Sequence, residues 1–203
     1  LGALTWWSTH LLDPFRPLDR VAAGRPVDPK VKPLVVQVVS LDWKWLFIYP
    51  EQGVASVNEL VLPVDRPVRF ELTSTNMMNT FYAPTLAGMI YVMPGMKSQL
   101  HAVINREGTF RGMSANYSGE GFSHMRFKLY GVKDGGFDAW VGRVKGGGQG
   151  LDTARYLALE KPSERVPAMY FASVDSTLFD RIYNRCVRPG TECMSDVMRR
   201  DMK

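Results

Sequence analysis

Polar and apolar residues alternate most cleanly in VRFELTST, where Val68, Phe70 and Leu72 fall on one side of an extended chain and Arg69, Glu71 and Thr73 on the other. A period of two marks a strand with one buried face. Upstream, VVQVVSLDWKWLFIY is β-branched and aromatic, which predicts strand, but it is too long to be a central strand over its whole length. A turn at Gln52 and Gly53 leads into NELVLP. The segments TFYAP, MIYVM, SQLHAVI, GTFRGM and MRFKLYG then follow as short strands broken by Gly and Pro. Strands at this spacing predict a mainly β fold, a β-sandwich or Greek-key barrel.

After Gly131 the period changes. Phe137 to Val144 reads as a short amphipathic helix, Gly146 to Gly150 as a flexible run, and a second helix-like piece opens at Asp152. A third, Ser176 to Arg188, spaces Leu178, Phe179, Ile182 and Tyr183 at helical intervals behind Asp175 or Ser176 as N-cap. These helices are too small to fold alone. The chain therefore divides into a β domain at 34–131 and a small C-terminal helical extension at 132–203.

Two further segments precede the β domain. LGALTWWSTHLLDP is shorter than the roughly twenty apolar residues that span a bilayer. Trp6 and Trp7, with polar residues from Ser8, suit the point where a span leaves the membrane, so 1–12 is expected to be the end of a transmembrane helix. A helix docked on the core is the alternative, and His10 is expected at the interface. Residues 13–33 carry Pro14, Pro17, Pro26, Pro29 and Pro33, which fix φ and remove donors, so an extended connector poor in regular structure is expected there.

With 203 residues, 45% of them hydrophobic and 11% aromatic, the chain can bury one good core and a smaller appendage. The net charge of +5 raises the question of nucleic acid. The basic residues are scattered, with no sustained aromatic-interleaved stripe, so the surface reads instead as solvated with some affinity for anionic lipid headgroups.

Few residues offer chemistry. Cys186 and Cys193 enclose VRPGTE, whose Pro-Gly favours a turn that brings the sulfurs together, and a disulfide is the expected outcome outside the cytoplasm. They lack the paired histidines of a zinc site and the C-x-x-C spacing of a redox pair. His101 lies in a strand-like segment and is expected to be a hydrogen-bonded structural histidine. Ser114 and Ser118 have no recognisable nucleophile motif and no His–acid partners, and His124 is too close in sequence to serve as one.

The run FRGMSANYSGEGFSHMRF, with LDWKWLFIYPEQGVASVNELVLP and MMNTFYAPTLAGMIYVMPGMKSQLH, resembles subunit II of the haem-copper terminal oxidases from the first residues to about Phe127. Cytochrome c oxidase members of that family carry a C-S-x-x-C-G-x-x-H-x-x-M loop around a dinuclear copper centre. In this chain Ser114 and Ser118 stand at the cysteines, Asn116 at the glutamate and Phe122 at the loop histidine; Asn79 stands at the upstream histidine, and Met125 alone matches. A copper site that cycles at biological potentials needs thiolate and imidazole donors. Serine hydroxyl and Asn amide are hard, weak donors and Phe122 has none, so no metal is expected in this chain.

The likeness is closest to the quinol oxidase branch, and implies a cupredoxin-like fold preceded by two membrane helices. It further implies a non-catalytic, copper-free subunit II in the bacterial inner membrane, its domain on the periplasmic side. Haems and copper would sit in subunit I, where ubiquinol is oxidised and dioxygen reduced to water. Trp43 and Trp45 correspond to the aromatic patch through which copper-bearing relatives receive electrons; with no acceptor behind it, the pair is expected to anchor the β core against a neighbouring subunit. The rival reading is a periplasmic copper carrier using Met77, Met78, Met89, Met93, Met96, Met113 and Met125. Gap-filling in the core is the expected use of these residues.

Overall fold

In the computed structural model the chain is described over residues 20–22, 25–26, 33–83, 88–104, 106–114, 125–163 and 165–202. The expected membrane-helix end at 1–12 lies outside these residues. So does most of the connector, within which β1 (Arg20–Ala22) and β2 (Arg25–Pro26) nonetheless form a small antiparallel ladder. No helix among the described residues is long and apolar enough to cross a membrane.

The apolar run expected as one long strand is a hairpin. β3 (Leu34–Leu41) and β4 (Lys44–Tyr49) pair antiparallel, with Leu41 opposite Lys44, across a two-residue turn at Asp42 and Trp43. Trp43 takes φ 66°, a left-handed conformation uncommon for a bulky residue. The segment after Gly53 is also two strands, β5 (Val54–Val57) and β6 (Glu59–Pro63). Between them Asn58 (φ 57°) turns the corner from one sheet to the other. Its side chain holds that corner, accepting from the Trp45 amide at 2.9 Å and donating to the Val166 carbonyl at 2.9 Å.

The remaining strands are β7 (Pro67–Ser74), β8 (Asn79–Ala83), β9 (Gly88–Val92), β10 (Ser98–Val103), β11 (Gly108–Ser114) and β12 (Arg126–Val132). Then come α1 (Asp134–Gly146), β13 (Gly150–Leu151), α2 (Thr153–Glu160), β14 (Met169–Phe171), β15 (Ser173–Val174), α3 (Leu178–Tyr183) and α4 (Met194–Asp201). A six-stranded sheet runs β10-β7-β3-β4-β5-β14 and a five-stranded sheet β6-β12-β11-β8-β9. β3 pairs with β7, and β6 with β12, in parallel. The two sheets form a sandwich; among the described strands their ladders do not close into a barrel, although a single bridge joins Ser74 and Pro94.

The six-stranded sheet is buried on both faces over β4, β5 and the end of β3, whereas β10 and the first part of β7 keep an outward face that is not buried. Inward, Val36, Trp45, Phe47, Tyr49 and Phe70 meet Leu60, Phe81, Phe127 and Leu129 of the other sheet, and α1 caps this core with Phe137 and Trp140. The Tyr49 hydroxyl ties the sheets together by donating to the Val61 carbonyl at 3.0 Å and accepting from the Val61 amide at 2.9 Å. Gly112 lies under the Phe127 ring, where a Cβ would come within 2.0 Å of it. Outward, Val39, Leu46, Ile48 and Val57 pack against Leu151, Tyr156, Leu178, Phe179 and Ile182 of the C-terminal region.

That region is more than helical. β14 extends the six-stranded sheet by pairing with β5, and β13 pairs with β15. Asp152 caps α2 by accepting from the Arg155 amide at 2.8 Å, as its position predicts. Asp175 accepts from the Thr177 amide and hydroxyl ahead of α3, a helix shorter than the expected Ser176 to Arg188.

Candidate functional site

Three strands, β3, β8 and β11, meet at the end where the sequence likeness places a metal. β3 delivers Ser40, whose carbonyl accepts from the Thr75 amide at 3.1 Å just beyond β7. β8 opens at Asn79, and β11 closes at Ser114, whose amide donates to the Met125 carbonyl at 3.2 Å. The side chains then form a buried chain. Ser114 Oγ donates to Asn79 Oδ1 at 3.2 Å, and Asn79 Nδ2 donates to Ser40 Oγ at 2.5 Å. All three residues are buried, as is Met125, which belongs to the inner core.

This arrangement does not fit a redox copper. The Asn79 amide is engaged at both its oxygen and its nitrogen, and none of the three residues can supply a thiolate or an imidazole. Asn116, Ser118, Phe122 and His124 lie outside the described residues, but the first three carry neither donor type. Among the described residues no three His, Cys, Asp or Glu side chains gather as a metal site. Chemically, the neutral chain satisfies buried polar groups and fixes the spacing of three strands. Ser40 escapes sequence reasoning because it is 39 positions from Asn79; its signal is a hydroxyl among the apolar residues of β3.

The other candidates separate. Trp45 is fully buried and stacks edge-on with Phe81 at 5.6 Å and Phe127 at 5.9 Å, so it belongs to the core and offers no surface to a neighbour. Trp43, at the hairpin tip, is half-buried and retains access. His101 sits exposed on the edge strand β10, opposite Arg69. Gap-filling suits Met125, whereas Met77, Met78, Met96 and Met113 are 37–53% exposed and fill no gap. Cys186 and Cys193 are joined as a disulfide, across a loop whose Gly190 takes φ 81°.

Lys44 has no counterpart among the residues expected to matter. Its side chain is buried, and its Nζ donates to the Lys161 carbonyl at 2.7 Å and the Ser163 hydroxyl at 2.5 Å, pinning the C-terminal region to β4. Burial lowers its pKa below the ordinary lysine value, against the opposing pull of Asp42. Burial likewise raises the Tyr49 and Tyr156 phenols.

Comparison with known proteins fits this geometry. Residues 50–132 match the family model for the cytochrome c oxidase subunit II periplasmic domain, and residues 145–190 match the COX aromatic-rich motif. Cytochrome bo(3) ubiquinol oxidase subunit 2 of Pseudomonas aeruginosa is 52% identical over 190 residues, covering 94% of this chain and 55% of that protein. The Pseudomonas putida protein of the same description is 48% identical over 185 residues, covering 91% of this chain and 56% of its own length. The chain thus spans little more than half the length of these relatives. Among solved structures, the periplasmic domain of cytochrome oxidase subunit II from Bradyrhizobium japonicum superposes with a TM-score of 0.54 at 24% identity, over 59% of this chain and 97% of that one. That likeness establishes a related mixed β and helix fold.

Proposed function

The chain is homologous to the periplasmic domain of quinol oxidase subunit II, and from that premise we propose that it is the copper-free, non-catalytic cap of a proton-pumping ubiquinol oxidase. Its fold is of the cupredoxin type. It sits on the periplasmic side of the bacterial inner membrane, against subunit I and lipid, joined through the connector 13–33 to a membrane helix that ends within 1–12. Ubiquinol is oxidised and dioxygen reduced in subunit I, which holds the haems and copper, so electrons enter from the membrane plane and bypass this domain. No catalytic residue is assigned to this chain.

One observation carries the reading: Ser114 and Asn79, two positions that would ligate copper, instead hydrogen-bond each other, and Asn79 also bonds Ser40 of β3. A site of this kind transmits packing and not electrons. Trp43 at the hairpin tip supplies a contact for the neighbouring subunit.

The exposed thioethers of Met77, Met78, Met96 and Met113 favour a second reading, a copper-carrying module. Metal analysis of the purified chain, with affinity purification from membranes, separates the two. Copurification of a haem-bearing membrane subunit without copper in this chain is the expected result. Stoichiometric copper bound to the isolated chain, with no such partner, would transfer the assignment to the carrier.

A further inference from the structure

A groove follows residues 166–171 along the flank of the sandwich. Its first stretch, about 380 Å³, lies between Val166–Ala168 and the outer surface of β11 and β12; its second, about 550 Å³, lies between β14 and α1. Glu59 and Ala168 line both stretches, so the two adjoin. Trp140 and Phe171 give the second stretch apolar walls, and β14 is the last strand of its sheet.

The charges along the groove are unbalanced. Arg111 and Lys128 are direct cross-strand partners, and Arg126 stands two residues from Lys128 on the same face of β12. All three are exposed, line the first stretch and have no ion-pair partner among the described residues. Like charges placed directly opposite destabilise a ladder, so the pairing of Arg111 with Lys128 carries a cost to the fold. Arg143 adds a fourth cation in the second stretch. Against them stands one carboxylate, Glu59, which is the register partner of Lys128 and lies beside the Tyr170 hydroxyl.

We propose that this groove docks an extended, acidic segment of a partner polypeptide. Its carboxylates would meet Arg111, Arg126 and Lys128, and an apolar side chain would enter between Trp140 and Phe171. Charge complementarity selects the occupant, and shape narrows it: a channel tracking residues 166–171 takes an extended strand of roughly 20 Å at about 3.3 Å per residue, whereas a lipid surface is too flat to enter it. The inference does not depend on the oxidase assignment, because binding is read on the chain alone.

The test is fluorescence anisotropy of the full chain with a labelled peptide of about eight residues alternating glutamate and valine, beside its lysine–valine counterpart. The glutamate peptide is expected to bind and the lysine peptide not, with affinity falling as salt rises. Arg111→Glu is expected to weaken binding about tenfold, while the paired reversals Arg199→Glu and Arg200→Glu on α4 leave it unchanged. Because Arg111→Glu turns a like-charge pair into an opposite one, its unfolding midpoint should hold or rise, so that lost binding is not lost folding. Lys128→Gln, which only neutralises, provides the second variant. Equal binding by wild type and both variants, or no binding by wild type, overturns the proposal. So does binding to phosphatidylglycerol vesicles, lost in Arg111→Glu, in the absence of peptide binding.

Discussion

Over β4, β5 and the end of β3 the two faces of the six-stranded sheet are buried by different means. The inner face meets the second sheet through aromatic rings, with Trp45, Phe47, Phe81 and Phe127 in mutual edge and stacked contacts. The outer face meets the C-terminal region through Val39, Leu46, Ile48 and Val57, small branched side chains under short helices, with Lys44 as the polar pin. In a free-standing sandwich that outer face would be wet. Here it is a second core, so the C-terminal region completes the sheet and is not an ornament on it.

The largest expected effect breaks the inner face. Trp45→Ala should remove about 3–5 kcal/mol of unfolding free energy, measured by urea titration, because a fully buried ring leaves a cavity that its aromatic neighbours cannot fill. A loss below about 1 kcal/mol would mean that the aromatic layer is not the organising core. On the outer face, Ile48→Ala should cost about 2–4 kcal/mol. Hydrogen exchange should then show α2 and α3 opening before β8 and β11; simultaneous opening of both regions would show that the two cores are one cooperative unit.

The smallest effect is a pH dependence at the pin. With its folded pKa depressed, Lys44 gives up its proton in the native chain while the unfolded chain keeps it up to 10.5. Across that window the unfolded state binds more protons, so stability rises with pH; below it both forms are charged and the burial cost stands in full. Lys44→Met should abolish this rise in urea midpoints measured from neutral to alkaline pH. An unchanged slope would show that Nζ stays protonated against the Lys161 carbonyl throughout.

The same comparison explains what the chain reveals before its structure is seen. β7 is legible because Val68, Phe70 and Leu72 are buried while Arg69 and Glu71 are not. β4 is not, because all six of its residues are buried, which erases the alternation, and the turn before it has no Gly or Asn-Gly to announce it. Asp152 signals α2 through its cap, but β14 is three residues with no pattern of its own. At the candidate site, the identities of Asn79 and Ser114 already exclude a redox copper. What they bond to instead is a tertiary fact, since Ser40 reaches Asn79 only through the packing of β3 on β7 and β8. The Met residues mislead because composition cannot distinguish a gap-filler from an exposed rim.

The pin and the corner also set the order in which this molecule can be made. Lys44 finds its acceptor 117 positions later at Lys161, and Asn58 finds the Val166 carbonyl 108 positions later. Loop closure over such spans is slow, and β5 has no neighbour on its far side until β14 arrives. A chain synthesised from its N-terminus therefore carries a sticky, half-covered sheet for most of its birth. Any escort that guards nascent strands must stay with it until about residue 171 has emerged.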